Sequence, residues 1–380
     1  MSLPLDGIRV LALEQAVAAP FCSRQLADMG ADVLKIERPI TGDFARHYDN
    51  VIQGQSAHFV WLNRGKRSIA LNLKDPPDQD TAKQLLKEAD VFVHNLAPGT
   101  VESFGLGYDD LKSLNAQLIW CGISGYGPDG PYRDRKAYDL LIQAEAGVMS
   151  LTGTTEDPAK AGVSIADIAA GLYAYSSILA ALYRRERTNE GARIDISMLE
   201  CLAEWATPQL YTWLGTGRLP QRAGARHATI VPYGAYACKD GRVNLAIQND
   251  TEWRAFCTHV MLTAELADDP RFVTNTQRLK HRDELESIIE EAWSQHSCAD
   301  ILTKLEAAQI ATGNLNDMEQ LFHHPQLRAR GRWTEMQYNG GAIRAMLPPH
   351  NISGANPKIG RVPELGEHSP TWKKEDNDDL

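Results

Sequence analysis

Two rhythms of apolar and polar positions run through the first 200 residues. Short apolar stretches at residues 8–13, 32–37, 68–73, 91–96 and 118–124 read as strands. Between them, residues 20–29, 80–89 and 98–114 carry helical spacing, the last interrupted by glycines. Strands separated by helices predict a parallel sheet covered on both faces. A long helix is expected over 168–187, where Ile168, Leu172, Tyr175, Leu179 and Leu182 recur at three- and four-residue steps. Arg184, Arg185 and Arg187 suit the negative end of its dipole. Its uncharged run, 168–183, is shorter than the ~20 apolar residues a membrane span needs, so a buried core helix is expected. Residues 191–199 read as a turn and a further strand.

The pattern then changes. Residues 205–229 mix aromatic, glycine and basic positions and are expected to form a linker or functional loop. Residues 232–248 read as a hairpin turning at Lys239-Asp240-Gly241, and 252–261, 281–296 and 299–308 as helices of a second, α+β domain. The polar end, 370–380, is expected to fray. A length of 380 residues fits this two-domain division.

Charge and cysteine content narrow the function. The net charge of −10 argues against a nucleic-acid partner gripped by the overall field. The cysteines (Cys22, Cys121, Cys201, Cys238, Cys257 and Cys298) form no CxxC pair, so no metal ribbon is expected. With no secretion signal and no membrane segment, reduced thiols in the cytoplasm are expected.

Candidate chemistry lies at the strand ends. The first strand-to-helix turn, Glu14 to Pro20, has no glycine, so the GxGxxG dinucleotide fingerprint is missing, although Glu37 could meet a ribose hydroxyl. Basic residues gather nearby: Arg38, then Arg64, Lys66 and Arg67, then Lys74. Arg38 and Lys74 follow strands and are placed to meet phosphate; solvated surface charge is the alternative. Asp167 stands at the start of the long helix, where an N-cap is the ordinary role. The same position favours an ionised carboxylate able to attack an acyl carbon, with backbone N–H groups near the developing oxyanion.

An ordered set of blocks carries a resemblance. These are Leu5-Asp6-Gly7-Ile8-Arg9-Val10-Leu11, Gly30-Ala31-Asp32-Val33-Leu34-Lys35-Ile36-Glu37-Arg38-Pro39 and Gly42-Asp43. Asn63-Arg64-Gly65-Lys66-Arg67-Ser68, Asn95-Leu96-Ala97-Pro98-Gly99, Ser124-Gly125-Tyr126-Gly127 and Ala137-Tyr138-Asp139 follow. Ile165-Ala166-Asp167-Ile168-Ala169-Ala170-Gly171 and Leu365-Gly366-Glu367-His368 complete the set. The chain resembles the family III CoA-transferases over nearly its whole length. That resemblance implies an α/β fold with a Rossmann-like large domain and parallel sheet (1–200, completed by 331–380). A linker (201–228), a smaller α+β domain (229–310) and a return linker (311–330) follow, and two subunits interlock as a homodimer.

The resemblance also implies CoA transfer from an acyl-CoA to a carboxylic acid through an aspartyl-CoA thioester on Asp167, with no metal or redox cofactor. CoA contacts are implied at Gln15, Ala16, Ala18, Arg38, Leu71, Lys74, Asn95, Leu96 and Lys136. Ser103 replaces an arginine found in some relatives, and a glycine-rich loop of some relatives has no counterpart, 215–227 being the substitute. Related racemases use a His-Asp pair where this chain has Tyr138-Asp139, so two-base proton exchange lacks a partner. A non-catalytic CoA-binding protein would be expected to lack Asp167. The segment Arg222 to His227, with Pro232-Tyr233-Gly234, is similar to members that use dicarboxylates. Arg222, Arg226 or His227 could pair with a second carboxylate, with Tyr138 as a further substrate contact; a solvated basic loop is the alternative.

Overall fold

The computed structural model describes residues 3–338, 341–355, 357 and 359–373. The chain divides into two compact units. The first comprises residues up to Val148, Lys160–Leu210 and those from Arg328; the second comprises Met149–Ala159 and Tyr211–Leu327.

The first unit is built on six parallel strands: β1 (Arg9–Leu13), β2 (Asp32–Glu37), β3 (Arg67–Ala70), β4 (Val91–His94), β5 (Ile119–Ser124) and β6 (Ala192–Ser197). They lie in the order β3-β2-β1-β4-β5-β6, the doubly wound arrangement expected of a Rossmann-like sheet. Its helices are α1 (Ala18–Asp28), α2 (Ala57–Asn63), α3 (Pro76–Glu88), α4 (Thr100–Ser103), α5 (Tyr108–Leu114), α6 (Asp139–Glu145), α7 (Ile165–Thr188) and, up to Leu210, α8 (Met198–Thr216). Successive residues of β1 serve opposite faces. Val10 and Ala12 join a core with Ala18, Cys22, Ala170 and Ala174, whereas Leu11 and Leu13 join one with Leu85, Leu86 and Leu111. Burial on both faces is why β1, β4 and β5 read as apolar runs.

The buried stripe of α7 differs from the expected one. It runs through Ala166, Ala170, Ala174, Ile178 and Leu182, whereas Leu172 is exposed. The cause is a close crossing with α1. A Cβ on Gly171 would lie 2.6 Å from the Ala18 carbonyl oxygen, so small residues face the contact and large ones flank it. Among the described residues α7 is the one helix long and apolar enough to cross a membrane, yet its small-residue face packs on α1 and the sheet.

The expected loop over 205–229 is instead helical up to Thr216, as α8. Only Met198, Cys201 and Leu202 of α8 are buried, so its apolar residues mark no single face and the periodicity is lost. Trp372, in the tail expected to fray, is buried and donates its Nε1–H to the Leu85 carbonyl at 3.0 Å. Residues 374–380 of that tail lie outside the described residues.

In the second unit an antiparallel sheet, β7 (Tyr233–Cys238), β8 (Gly241–Ala246) and β9 (Ala311–Asn314), carries α9 (Asp250–Ala255), α10 (Asn275–Lys280), α11 (Arg282–Trp293) and α12 (Cys298–Ala307). Its core centres on Tyr236, Trp253, Phe256 and Trp293. One expectation is corrected here: Cys238 and Cys298, 60 residues apart in sequence, are joined as a disulfide. Distance along the chain hid the pair, because β7 ends where α12 begins.

The first unit also buries an ion network. Lys66 Nζ donates to Glu14 Oε1 at 2.6 Å, and Lys35 Nζ reaches Asp43 Oδ2 at 2.7 Å and Glu14 Oε1 at 3.3 Å. Ser23 Oγ donates to the second Glu14 oxygen at 2.6 Å. Arg46 clasps Glu37 with two bonds of 2.7 and 2.8 Å, and Ser68 Oγ donates to the same carboxylate. Burial favours neutral Glu14, but Lys66 and Lys35 outweigh it and hold the carboxyl below its ordinary value. Removing one partner strands its counter-charge in the interior. Lys35→Met is therefore expected to cost about 3–5 kcal/mol by urea denaturation. Arg184→Ala, which breaks the exposed pair with Glu190, should cost less than about 1 kcal/mol.

Candidate active site

The sheet order reverses between β1 and β4, where strand ends part and ligands enter doubly wound folds. Asn95 bridges that gap. Its Oδ1 accepts the Gln15 N–H at 2.9 Å and its Nδ2 donates to the Gln15 carbonyl at 2.8 Å. The next residue, Ala16, has φ +61°, a left-handed conformation unusual for alanine, and donates its N–H to Asp43 Oδ1 at 2.9 Å. Backbone hydrogen bonds thus shape a turn that glycines shape in dinucleotide-binding proteins.

Beside this turn opens a cleft with about 700 Å³ of empty space, its solvent mouth included. Gln15, Arg38, Leu71, Lys74 and Leu96 line it, together with Thr100 and Phe104. Arg38 donates to Gln15 Oε1 at 3.2 Å, and its guanidinium lies 4.5 Å from the Phe44 ring centroid. Both Arg38 and Lys74 are exposed. The other basic residues of the cluster are committed to ion pairs: Arg64 to Asp28, Lys66 to Glu14 and Arg67 to Asp32. Glu37, which also lines the cleft, accepts from Arg46 and Ser68. Ala18 is buried, its carbonyl facing Gly171. Lys136 is exposed at a separate open depression with Tyr126, Arg135 and Leu141. Ser103 donates its hydroxyl to the Thr100 carbonyl.

Asp167 is the third residue of α7 and not its N-cap, a position held by Ser164. The capping interaction comes from elsewhere. Asp139 Oδ1 accepts the Ala166 N–H at 2.8 Å, while Asp139 Oδ2 accepts from Gln143 Nε2 at 2.7 Å. One helical donor expected to serve an oxyanion is therefore occupied. Asp167 is part-buried, and its carboxyl is pushed up to about 7 by burial and, secondarily, by the charge of Asp139. These effects outweigh the helix dipole, which favours the anion. The close α1–α7 crossing lies one turn beyond Asp167, where Gly171 meets Ala18 and Phe21 of α1. Tyr48, part of the same neighbourhood, has its phenol raised by burial and then by Asp43, Asp167 and the exposed Tyr138. Asp43, Tyr48 and the capping role of Asp139 escaped the sequence reading, because their positions become meaningful only once β1, β2 and α7 converge.

The basic residues of the second unit have partners within it. Arg226 Nε lies 2.9 Å from Glu286 Oε2, and Arg222 donates to the carbonyls of Thr154 and Thr155. His227 stacks on Tyr233 at 5.0 Å, and its Nδ1 accepts the N–H groups of Thr229 and Ile230.

Comparison with known proteins bears on this geometry. Residues 5–369 match the model of CoA-transferase family III. The chain is 37% identical over 375 residues to a succinate–glutarate CoA-transferase of Agrobacterium fabrum, covering 96% of this chain and 94% of that one. It is 35% identical over 376 residues to an acetyl-CoA:oxalate CoA-transferase of Acetobacter aceti, covering 98% and 95%. A crystal structure of a CaiB/BaiF family protein from Brucella suis superimposes with a TM-score of 0.86 at 36% identity, covering 97% and 98% of the two chains.

The raised Asp167 carboxyl carries a stability signature. The folded chain holds this proton up to about pH 7, whereas an unfolded aspartate releases it near ~4. The associated stability is full below the unfolded value and is lost as pH rises through about 7. Asp167→Asn, which cannot ionise, should therefore raise Tm relative to the parent at pH 8, with the gain shrinking towards pH 5. Thermal melts at both pH values test this, and a pH-independent difference would count against the assignment.

Proposed function

The chain belongs to CoA-transferase family III, and from that premise we propose that Asp167 is the covalent carrier of a CoA transfer between a donor thioester and a dicarboxylate. The observation that carries this reading is the part-buried, raised carboxyl of Asp167 in the first turn of α7, one turn ahead of the crossing with α1. Once ionised, a carboxylate of raised pKa is a better nucleophile than an exposed one.

In this reading the Asp167 carboxylate attacks the donor's thioester carbonyl, forming a mixed anhydride and releasing CoA thiolate. The thiolate attacks the aspartyl carbonyl, frees the donor acid and leaves an aspartyl-CoA thioester. The acceptor carboxylate then attacks that thioester, again releasing CoA thiolate, which takes the acceptor acyl group from the new anhydride and regenerates Asp167. Arg38 and Lys74 meet the phosphates of CoA at the cleft mouth, and Leu71 and Leu96 supply apolar wall. Asp139 holds the first turn of α7 through Ala166 and so fixes where the carboxylate stands. The dicarboxylate class is supported by the names of the two relatives, which act on succinate with glutarate and on oxalate. Succinyl-CoA is the donor of first choice. The exposed apolar residues of α8 (Trp205, Tyr211, Trp213 and Leu214) support the interlocked homodimer that the family resemblance implies.

Two measurements test the proposal. Incubation with succinyl-CoA and hydroxylamine should inactivate the protein and leave a hydroxamate on Asp167, detected by peptide mass. A fully active, unmodified protein would overturn the covalent route. In steady-state assays with glutarate or oxalate as acceptor, Arg38→Ala and Lys74→Ala should each raise the donor KM about tenfold with little change in kcat, the loss of one charge-assisted contact. Unchanged donor KM in both variants would place CoA elsewhere.

A further inference from the structure

The disulfide of Cys238 and Cys298 packs against the edge of the second unit's core. Cys238 ends β7 and Cys298 opens the ten-residue helix α12, with their Cα atoms 6.1 Å apart. Both are only partly buried, in contrast to Cys22, Cys121, Cys201 and Cys257, which are buried. Asp240 lies between them. Its Oδ1 accepts the Cys298 N–H at 2.7 Å and is 3.7 Å from Cys238 Sγ. The Lys239 N–H also donates to the His296 carbonyl at 3.0 Å. These two backbone donations latch the β7–β8 turn to the start of α12 without using either sulfur.

We propose that the Cys238–Cys298 disulfide is redox-active: reduced to two thiols, the pair is re-oxidised by low-molecular-weight disulfides to the crosslink that clamps the hairpin turn to α12. Three observations converge on this assignment. The Cα separation is that of a bridgeable pair. The backbone latch holds the thiols in register before any bond forms, so oxidation needs no rearrangement. Cys298 occupies the first position of a helix capped by Ser297, where the helix dipole favours a thiolate and Cys238 has no such helix start; the Asp240 carboxylate lies within 4.8 Å of both sulfurs. Cys298 is thus the attacking group. Its thiolate attacks one sulfur of the small disulfide and expels the other as a thiolate. Cys238 then loses its proton and attacks the Cys298 sulfur of the mixed disulfide, expelling the second small thiol. Two protein thiols are oxidised and one small disulfide is reduced to two thiols. The crosslink joins positions 60 residues apart and encloses α9, α10 and α11. Its chief effect is therefore on the stability of the second unit.

The test uses the full chain, reduced and then exposed to excess glutathione disulfide. Free thiols counted in denaturant should fall from six to four. Digestion without reductant should yield a peptide joining Cys238 to Cys298. Tm should rise by roughly 5–10 °C, reversibly with dithiothreitol. Cys238→Ser and Cys298→Ser should show no such redox-dependent rise and should melt like the reduced parent. Separate glutathione adducts on the two residues, an unchanged thiol count, or bound zinc that protects both sulfurs from oxidation would each overturn the proposal.

Discussion

Glu14 is the residue on which the first unit turns. It ends β1 with a fully enclosed carboxylate, and four groups from other parts of the chain converge on it or on its partners: Ser23 of α1, Lys35 of β2, Asp43 of the following loop and Lys66 ahead of β3. Two carboxylates and two ammonium groups balance there, shielded from bulk solvent. Such an arrangement gives little net stability over apolar packing, but breaking one member is severe. It acts as a registry device, since each partner is acceptable in the interior only when the others are present. Burial draws Lys66 down to about 8, while for Lys35 the attraction of Asp43, Glu14 and Glu37 overrides burial and raises it.

The cleft inherits its shape from that network. Asp43 uses one carboxylate oxygen to hold Lys35 and the other to accept the N–H of Ala16, so the interior charge balance reaches directly into the turn at the cleft floor. Asn95 fixes the neighbouring peptide from the other side of the sheet reversal. The division of the basic residues follows from the same logic. Lys35, Lys66 and Arg64 neutralise carboxylates that the fold buries, which leaves Arg38 and Lys74 as the exposed cations lining the mouth. A basic cluster in sequence thus separates into scaffold and ligand-facing members only in three dimensions.

The sheet was legible because β1, β4 and β5 are buried on both faces and read as short apolar runs; β2 runs over the same residues as expected, Asp32–Glu37. The short α2 and α6 and the hairpin of β10 (Trp333–Tyr338) and β11 (Gly341–Met346) were not, because each has too few turns or too mixed a pattern to assert a period. Helix α8 hid for the opposite reason: its apolar positions go all round, so no face stands out. At the site, position along the chain revealed Arg38 and Lys74, since they follow strands. The roles of Asp43 and Asp139 were invisible, because a carboxylate that accepts a backbone N–H from a remote element leaves no local signature. The Cys238–Cys298 pair was missed likewise, being close only through the packing of β7 on its neighbours.

The state of Asp167 is the point at which these constraints meet. A helix start alone would keep its carboxylate ionised and well solvated, a stable but indifferent anion. Burial raises its carboxyl, and Asp139 takes up an adjoining N–H while adding a like charge. Both effects disfavour the anion that a transfer would use, and both are relieved when the carboxylate becomes a neutral acyl group. A neutral anhydride or thioester at that oxygen escapes the burial penalty and the repulsion of Asp139 together. The local electrostatics therefore favour the acylated side chain over the free carboxylate, which is the direction a covalent carrier requires.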